Sequence, residues 1–209
     1  DLAHAVSEFG SWREVVATLA IAPDAGTDPG PIPAGRFATI VADPPWAFTN
    51  TATRAAAQRH YPTMTLEQIA GLDVAEHTAD KAHAYLWVPS ALLPDGLQVL
   101  ASWGFEYRTV ITWVKPQLGL GNYFRSTTEL ALFGIRGGMR TRDRSLPTHF
   151  TAPRGRHSAK PAEFQDLVER ASPGPYLELF ARCSGTASCT CSHCRLGWAV
   201  WGNEAAMSA

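Results

Sequence analysis

The apolar run Phe37-Ala38-Thr39-Ile40-Val41-Ala42 stops at Asp43-Pro44-Pro45-Trp46, and this junction constrains the chain more than any other stretch. Proline has a locked φ and no backbone N–H, so two in succession end a strand and leave rigid carbonyls with no adjacent donor to pair them. The strand therefore ends in a carboxylate, two stiff residues and an aromatic ring. Such a terminus can be no more than the start of a loop, with Trp46 as a core residue. It also holds the parts needed to grip a planar amine. A flat base with an exocyclic NH₂ has two hydrogens to give; Asp43 can accept one and the Pro44 carbonyl the other, while Trp46 offers a stacking face.

The remaining chain places this terminus in an α/β architecture. Residues 4–20 have amphipathic-helix spacing, with Val6, Phe9, Val15, Val16 and Leu19 apolar. Residues 24–35 are rich in Pro and Gly and read as a connector. After the strand over 37–42 comes a polar, aperiodic segment, 48–63. Thr65 with Gln68 three places on forms the capping-box pattern of a short helix. Strands are expected over 83–88, 105–114, 127–135, 176–181 and 198–201. Helices are expected over 92–103 and from Pro161, as first helical residue, to about Ala171. Alternation of this kind predicts a sheet with helices on its faces, and ligands in such sheets sit beyond the carboxyl ends of strands, where Asp43 falls. Gly119-Leu120-Gly121 is only a fragment of a dinucleotide fingerprint and precedes a strand, so dinucleotide binding loses support.

The chemistry that needs an Asp, a carbonyl and an aromatic face around an amine is methylation of a nucleobase amine. An exocyclic amino nitrogen is a poor nucleophile because its lone pair is delocalised into the ring. Two acceptors off the ring plane favour a pyramidal nitrogen, a gain realised as the transition state forms. The acceptor polymer has a matching surface in the sequence. The chain of 209 residues has net charge −1, yet Arg136 to Lys160 holds seven basic residues against one acid, Asp143. That stretch, with Arg140, Arg142, Arg154 and Arg156, reads as a phosphate-gripping surface beside a base-handling site; a solvated arginine-rich loop is the plainer reading. No apolar stretch approaches the ~20 residues of a membrane-spanning helix. No signal peptide is visible and the first residue is Asp1, which leaves room for a native N-terminal piece. The location reads as intracellular, cytoplasmic, with no membrane partner.

Further motifs follow in order: His60-Tyr61-Pro62-Thr63-Met64, Leu86-Trp87-Val88, Trp113-Val114-Lys115-Pro116 and Glu129-Leu130-Ala131-Leu132-Phe133-Gly134. Arg156-His157-Ser158-Ala159-Lys160-Pro161, Glu178-Leu179-Phe180-Ala181-Arg182 and Trp201-Gly202-Asn203-Glu204 complete the set. With Asp43-Pro44-Pro45-Trp46 at their head, they resemble the MT-A70-type adenine-N6 methyltransferases over residues 36–204. The resemblance implies an α/β, Rossmann-like methyltransferase fold of permuted, beta-class order, with a central, mostly parallel sheet flanked by helices. Residues 1–35 would be an N-terminal helix and connector, and 205–209 a tail. It also implies S-adenosylmethionine as cofactor and adenine N6 in DNA or RNA as acceptor, single-stranded or flipped out. Flipping costs a few kcal/mol, which unpaired substrate avoids. Asp43, Pro44, Pro45 and Trp46 would hold the adenine, with Asp43 also near the methionine amino group of the cofactor. Lys160, Arg182, Asn203 and Glu204 would complete the cofactor site; Glu204 stands where some members carry Gln, and a carboxylate suits a ribose diol. Glu129 would lie beside the acceptor, and Tyr61, with His60, would gate or stack the base. Each residue also has an ordinary reading: first-turn helix residue for Lys160, surface charge for Arg182, turn former for Asn203, cross-strand partner for Glu129, loop closure for His60 and Tyr61. His157 and Ser158 read as structural. A catalytically silent nucleic-acid-binding subunit is the rival function, although such subunits tend to lose the Asp or Trp that this chain keeps. A cytosine-N4 enzyme is another.

One departure from the family pattern stands out. Cys183, Cys189, Cys191 and Cys194, with His193, crowd a loop spanning 183–195 where the family has a short connection. Four thiols can form a structural zinc site, and Cys191-x-x-Cys194 has chelate spacing. The tighter Cys189-x-Cys191 step favours an unliganded loop, with a disulfide on oxidation.

Overall fold

The computed structural model describes residues 29–47, 63–119, 123–155, 160–182 and 195–202. The N-terminal helix expected over 4–20, most of the polar segment before Thr63, and the cysteine loop lie outside these residues. Seven strands form one sheet: β1 (Phe37–Ala42), β2 (Thr78–Val88), β3 (Glu106–Val114), β4 (Thr128–Arg136), β5 (His149–Thr151), β6 (Tyr176–Leu179) and β7 (Ala199–Trp201). Their spatial order is β5-β3-β4-β2-β1-β6-β7. Only β4 runs against its neighbours; β1, β2, β6 and β7 pair in parallel, and so do β3 and β5. The expected mostly parallel α/β sheet of a Rossmann-like methyltransferase is present.

β1 is central and buried at all six residues, the pattern of a parallel strand covered on both faces. One face carries α1 (Leu66–Ala70) and α2 (Leu93–Ser102), the other α3 (Ala162–Ala171). Ile40, Leu86, Leu132, Leu177 and Leu179 fill the first core with Val99, Leu100 and Trp103 of the α2 region. Val41, Tyr85, Trp87, Trp113 and Phe133 fill the second with Phe164, Leu167 and Val168 of α3. Gly96 brings α2 close to the sheet: a Cβ there would lie 2.9 Å from both Leu132 Cδ1 and Val88 Cγ2.

Several boundaries differ from the sequence reading. β2 begins at Thr78 rather than residue 83: Thr78 already pairs with Phe37, and β2 then carries extra residues, including Asp80 and Lys81, before pairing resumes at Thr39 with His83. β5 was not anticipated; three residues give too short a pattern to read. Pro161 is the N-cap of α3, at φ −71° and ψ 147°, and the helix itself starts at Ala162. The capping box of α1 is present: Gln68 N donates to Thr65 Oγ1 at 3.3 Å and Thr65 N to Gln68 Oε1 at 2.8 Å. Among the described residues no helix is long and apolar enough to cross a membrane.

Candidate active site

β1 is flanked by β2 on one side and β6 on the other, the first reached by way of α1 and the second by way of α3, on opposite faces. The sheet order therefore reverses at β1, and the crevice at its carboxyl end is the place where such sheets bind ligands. Asp43 stands there, half-buried, one residue beyond the strand. Side chains alternate along strands, so Asp43 shares the α3 face with Val41. Register carries the pattern outward. Val41 pairs with Glu178, Trp87 with Ala131 and Trp113 with Glu129. Because β4 is reversed, its first residues meet the carboxyl ends of β2 and β3, and Glu129 arrives at the same edge as Asp43.

The charges there form an alternating chain. Lys160 Nζ donates to Asp43 Oδ2 at 2.7 Å and lies 3.6 Å from Glu129 Oε2. Lys115 Nζ donates to Glu129 Oε1 at 2.8 Å. Each ammonium also lies over an indole: Lys160 is 5.0 Å from the Trp87 ring centroid and Lys115 5.2 Å from that of Trp113, a favourable placement for a desolvated cation. Burial alone would raise the Glu129 pKa, but the Lys160 and Lys115 charges outweigh it and hold the carboxyl below its usual value. Glu178 behaves oppositely. Burial and the neighbouring Asp43 charge push it up to about 7, against the opposing pull of Lys160.

The Asp-Pro-Pro-Trp segment is less open than its sequence suggests. Trp46 N donates to the Pro44 carbonyl at 2.9 Å and Met64 N to the Pro45 carbonyl at 2.8 Å, so neither carbonyl lacks a donor. One lone pair of Pro44 remains for a ligand, since a carbonyl oxygen accepts two bonds. Trp46 follows the core reading. It packs against the first core, and its indole N–H donates to the Trp87 carbonyl at 2.9 Å, which pins the ring at the end of β2.

The structure brings together Asp43, Pro44, Pro45, Trp46, Glu129 and Lys160. Arg182 follows a turn fixed by three features. Phe180 has φ +62°, an uncommon conformation for a residue with a side chain. Ala181 N donates to the Trp201 carbonyl at 2.9 Å, and Gly202 packs so closely on Ala181 that a Cβ would lie 2.5 Å from its carbonyl oxygen. Tyr61, Arg156, Asn203, Glu204 and the cysteines Cys183, Cys189, Cys191 and Cys194 lie outside the described residues. Among the residues described, no group of His, Cys, Asp and Glu could hold a metal ion.

The basic stretch does not form one surface. Arg140 and Arg142 are exposed at the opposite end of the sheet, where Arg142 N donates to the Ala171 carbonyl at the C-terminus of α3. β4 covers the separation: seven residue steps from Glu129 to Arg136 span about 23 Å. β5 then runs parallel to β3 and returns the chain to the edge where Asp43 stands, and Arg154 there packs against Gly119 of the β3–β4 connection. Sequence proximity put these arginines together; a reversed strand followed by a parallel one separates them.

Sequence reasoning quoted Lys115, Trp87 and Glu178 in motifs but gave them no role. The signal was parity. Each stands at the end of its strand, Lys115 one residue beyond β3, two places after a ring on the same face: Trp113 before Lys115, Tyr85 before Trp87 and Tyr176 before Glu178. Trp87 is 2% exposed, and its Nε1 is the one buried side-chain N or O without a hydrogen-bond partner among the described residues.

A reversal point in a mostly parallel sheet, with an Asp-Lys pair and an aromatic clamp at its mouth, defines a Rossmann-like methyltransferase. Comparison with known proteins gives the family. Residues 37–204 match MT-A70. The type II methyltransferase M.MunI of Mycoplasma sp is 30% identical over 199 residues, covering 83% of this chain and 79% of that protein. A putative N(6)-adenosine-methyltransferase, MT-A70-like, of Medicago truncatula is 31% identical over 182 residues, 81% of this chain and 26% of the relative. The human N(6)-adenosine-methyltransferase catalytic subunit METTL3 is 29% identical over 158 residues, 71% of this chain and 26% of the relative. The chain thus spans most of the first and about a quarter of the other two. It belongs to the MT-A70 family, the S-adenosylmethionine-dependent adenine-N6 methyltransferases.

Proposed function

We propose that this adenine-N6 methyltransferase acts on adenine in a nucleic acid strand, DNA or RNA, presented unpaired or flipped out. The observation that carries the reading is Asp43 at the reversal point of the sheet, held by Lys160 at 2.7 Å and followed by the pinned Trp46. The charges suit the methionine end of S-adenosylmethionine, which is a zwitterion. Glu178 is raised first by burial and then by the neighbouring Asp43 charge, with Lys160 pulling the other way. A bound ammonium would oppose that rise, and Lys160 would face the carboxylate of the same ligand. When bound, the cofactor supplies a methyl group on a positively charged sulfur.

The residues of the chain do the rest. Asp43, with Oδ2 committed to Lys160, accepts an amine hydrogen through Oδ1. The free lone pair of Pro44 accepts the other. Trp46 supports the flat face of the base. Glu129 holds Lys160 from the far side, so the ammonium cannot swing away. No strong base is required, since the nitrogen becomes acidic only after it has taken the methyl group.

The test is methyl transfer from labelled S-adenosylmethionine to single-stranded and duplex DNA and RNA, followed by nucleoside mass analysis. Asp43→Ala should lower transfer about 100-fold or more. Transfer by neither protein to any polymer, with cofactor binding intact, would return the silent-subunit reading.

A further inference from the structure

We infer that Tyr123 and Phe124, in the described part of the β3–β4 connection that leads into β4, are a stacking platform for the strand that flanks the target adenine. The inference rests on the nucleic-acid reading of the site. Six large apolar side chains are exposed among the described residues, and three of the four most exposed are on this loop: Tyr123 at 97%, Phe124 at 90% and Leu118 at 72%. Two exposed aromatic residues adjacent in sequence mark an interaction surface.

The loop is anchored in the site itself. Its feet are Lys115 and Glu129, two members of the charge chain. Its neck is closed by backbone bonds, Lys115 N to the Thr127 carbonyl at 2.7 Å and Gly119 N to the Ser126 carbonyl at 2.9 Å. Glycine is required at 119, because a side chain there would collide with the Ser126 carbonyl and the Arg154 guanidinium. Phe124 is five residues from Glu129, so it stands within about 18 Å of the site along the chain.

Charge selects the occupant. Lys115 to Thr128 contains two basic residues and no acid. Arg125 adjoins the rings and is exposed, and Arg154 packs across the neck. Exposed aromatic faces interleaved with arginine are how single strands are held, base on ring and phosphate on guanidinium.

The test compares wild type with three variants: Tyr123→Ser/Phe124→Ser, Tyr123→Trp/Phe124→Trp, and Arg125→Gln. Binding of a fluorescent single-stranded oligonucleotide is followed by anisotropy over a salt series, and the KM for strand and the kcat are measured beside it. The serine pair should weaken strand binding about tenfold or more, raising KM with kcat at saturation and S-adenosylmethionine affinity unchanged. The tryptophan pair should bind within about twofold of wild type. Arg125→Gln should lower the salt slope by about one. Unchanged strand binding by the serine pair, with wild-type methyl transfer intact, overturns the platform and leaves the proposed function standing. So does a wild-type dimer in sedimentation that the serine pair dissolves, since the surface then belongs to a second copy. A wild type that binds no strand brings down both readings.

Discussion

Lys115 has 4% of its side chain exposed and spends its charge on Glu129, which in turn holds Lys160. Removing the middle charge should therefore harm two places at once. Glu129→Gln leaves a buried ammonium without a counter-ion, a defect worth several kcal/mol in a closed core. Glu129 is 39% exposed, so solvent screening reduces the expected loss to about 1–2 kcal/mol. Chemical denaturation checks this, and adding Lys115→Met to the variant should restore part of the stability. At the other end of the chain, Lys160→Met leaves Asp43 and Glu178 facing each other uncompensated. Cofactor affinity, measured by calorimetry, should fall about tenfold or more, and transfer should fall further. These roles were half visible beforehand. All four stand in motifs, but only Asp43 and Lys160 had a role there; Lys115 and Glu178 needed the strand parity and the register across β4 and β6 to show which way they point.

At the scale of elements, Gly96 is the point where α2 meets the sheet. A glycine inside a helix costs about 1 kcal/mol of helix propensity relative to alanine, so its presence calls for a packing reason, and the 2.9 Å approach to Val88 and Leu132 provides one. Gly96→Val should destabilise by about 1–3 kcal/mol, read as a lower midpoint in urea with an unchanged slope. Element type was legible wherever the pattern was long: β1, β3, β4, α2 and α3 all stand where periodicity and caps put them. What failed were short or polar pieces. β5 has three residues, and the first residues of β2 alternate weakly because they lie at the sheet margin. Pro161 looked like a first helical residue from its chemistry, but its extended ψ makes it the cap.

For the molecule as a whole, two buried titrating groups pull stability in opposite directions. His83 is fully buried beneath α3, with Nδ1 2.7 Å from Ser172 Oγ and Nε2 3.2 Å from the Met139 carbonyl. Burial lowers its pKa against the pull of the Met139 bond, so the unfolded chain binds the proton more readily, and stability falls as the pH drops below about 6.5. Glu178 is raised from 4.5 to about 7, so the folded chain binds that proton more readily, and stability is lost as the pH rises from 4.5 to 7. In the wild type the two effects oppose each other, and each single variant should uncover the one that remains. Glu178→Gln should lose Tm on acidification and His83→Asn should gain it; the same slope in both would refute the assignment. Neither effect was visible in a linear chain, because desolvation depends on what packs above a residue. By itself the sequence determined the strand that ends in Asp43, the alternation that makes an α/β sheet, and the family, since these depend on local sterics, periodicity and motif order. Only the tertiary structure decided that β4 runs backwards. That reversal brings Lys115 and Glu129 to the Asp43 edge and carries Arg140 and Arg142 away from it. Strand direction is settled by pairing between distant segments, which no local pattern records.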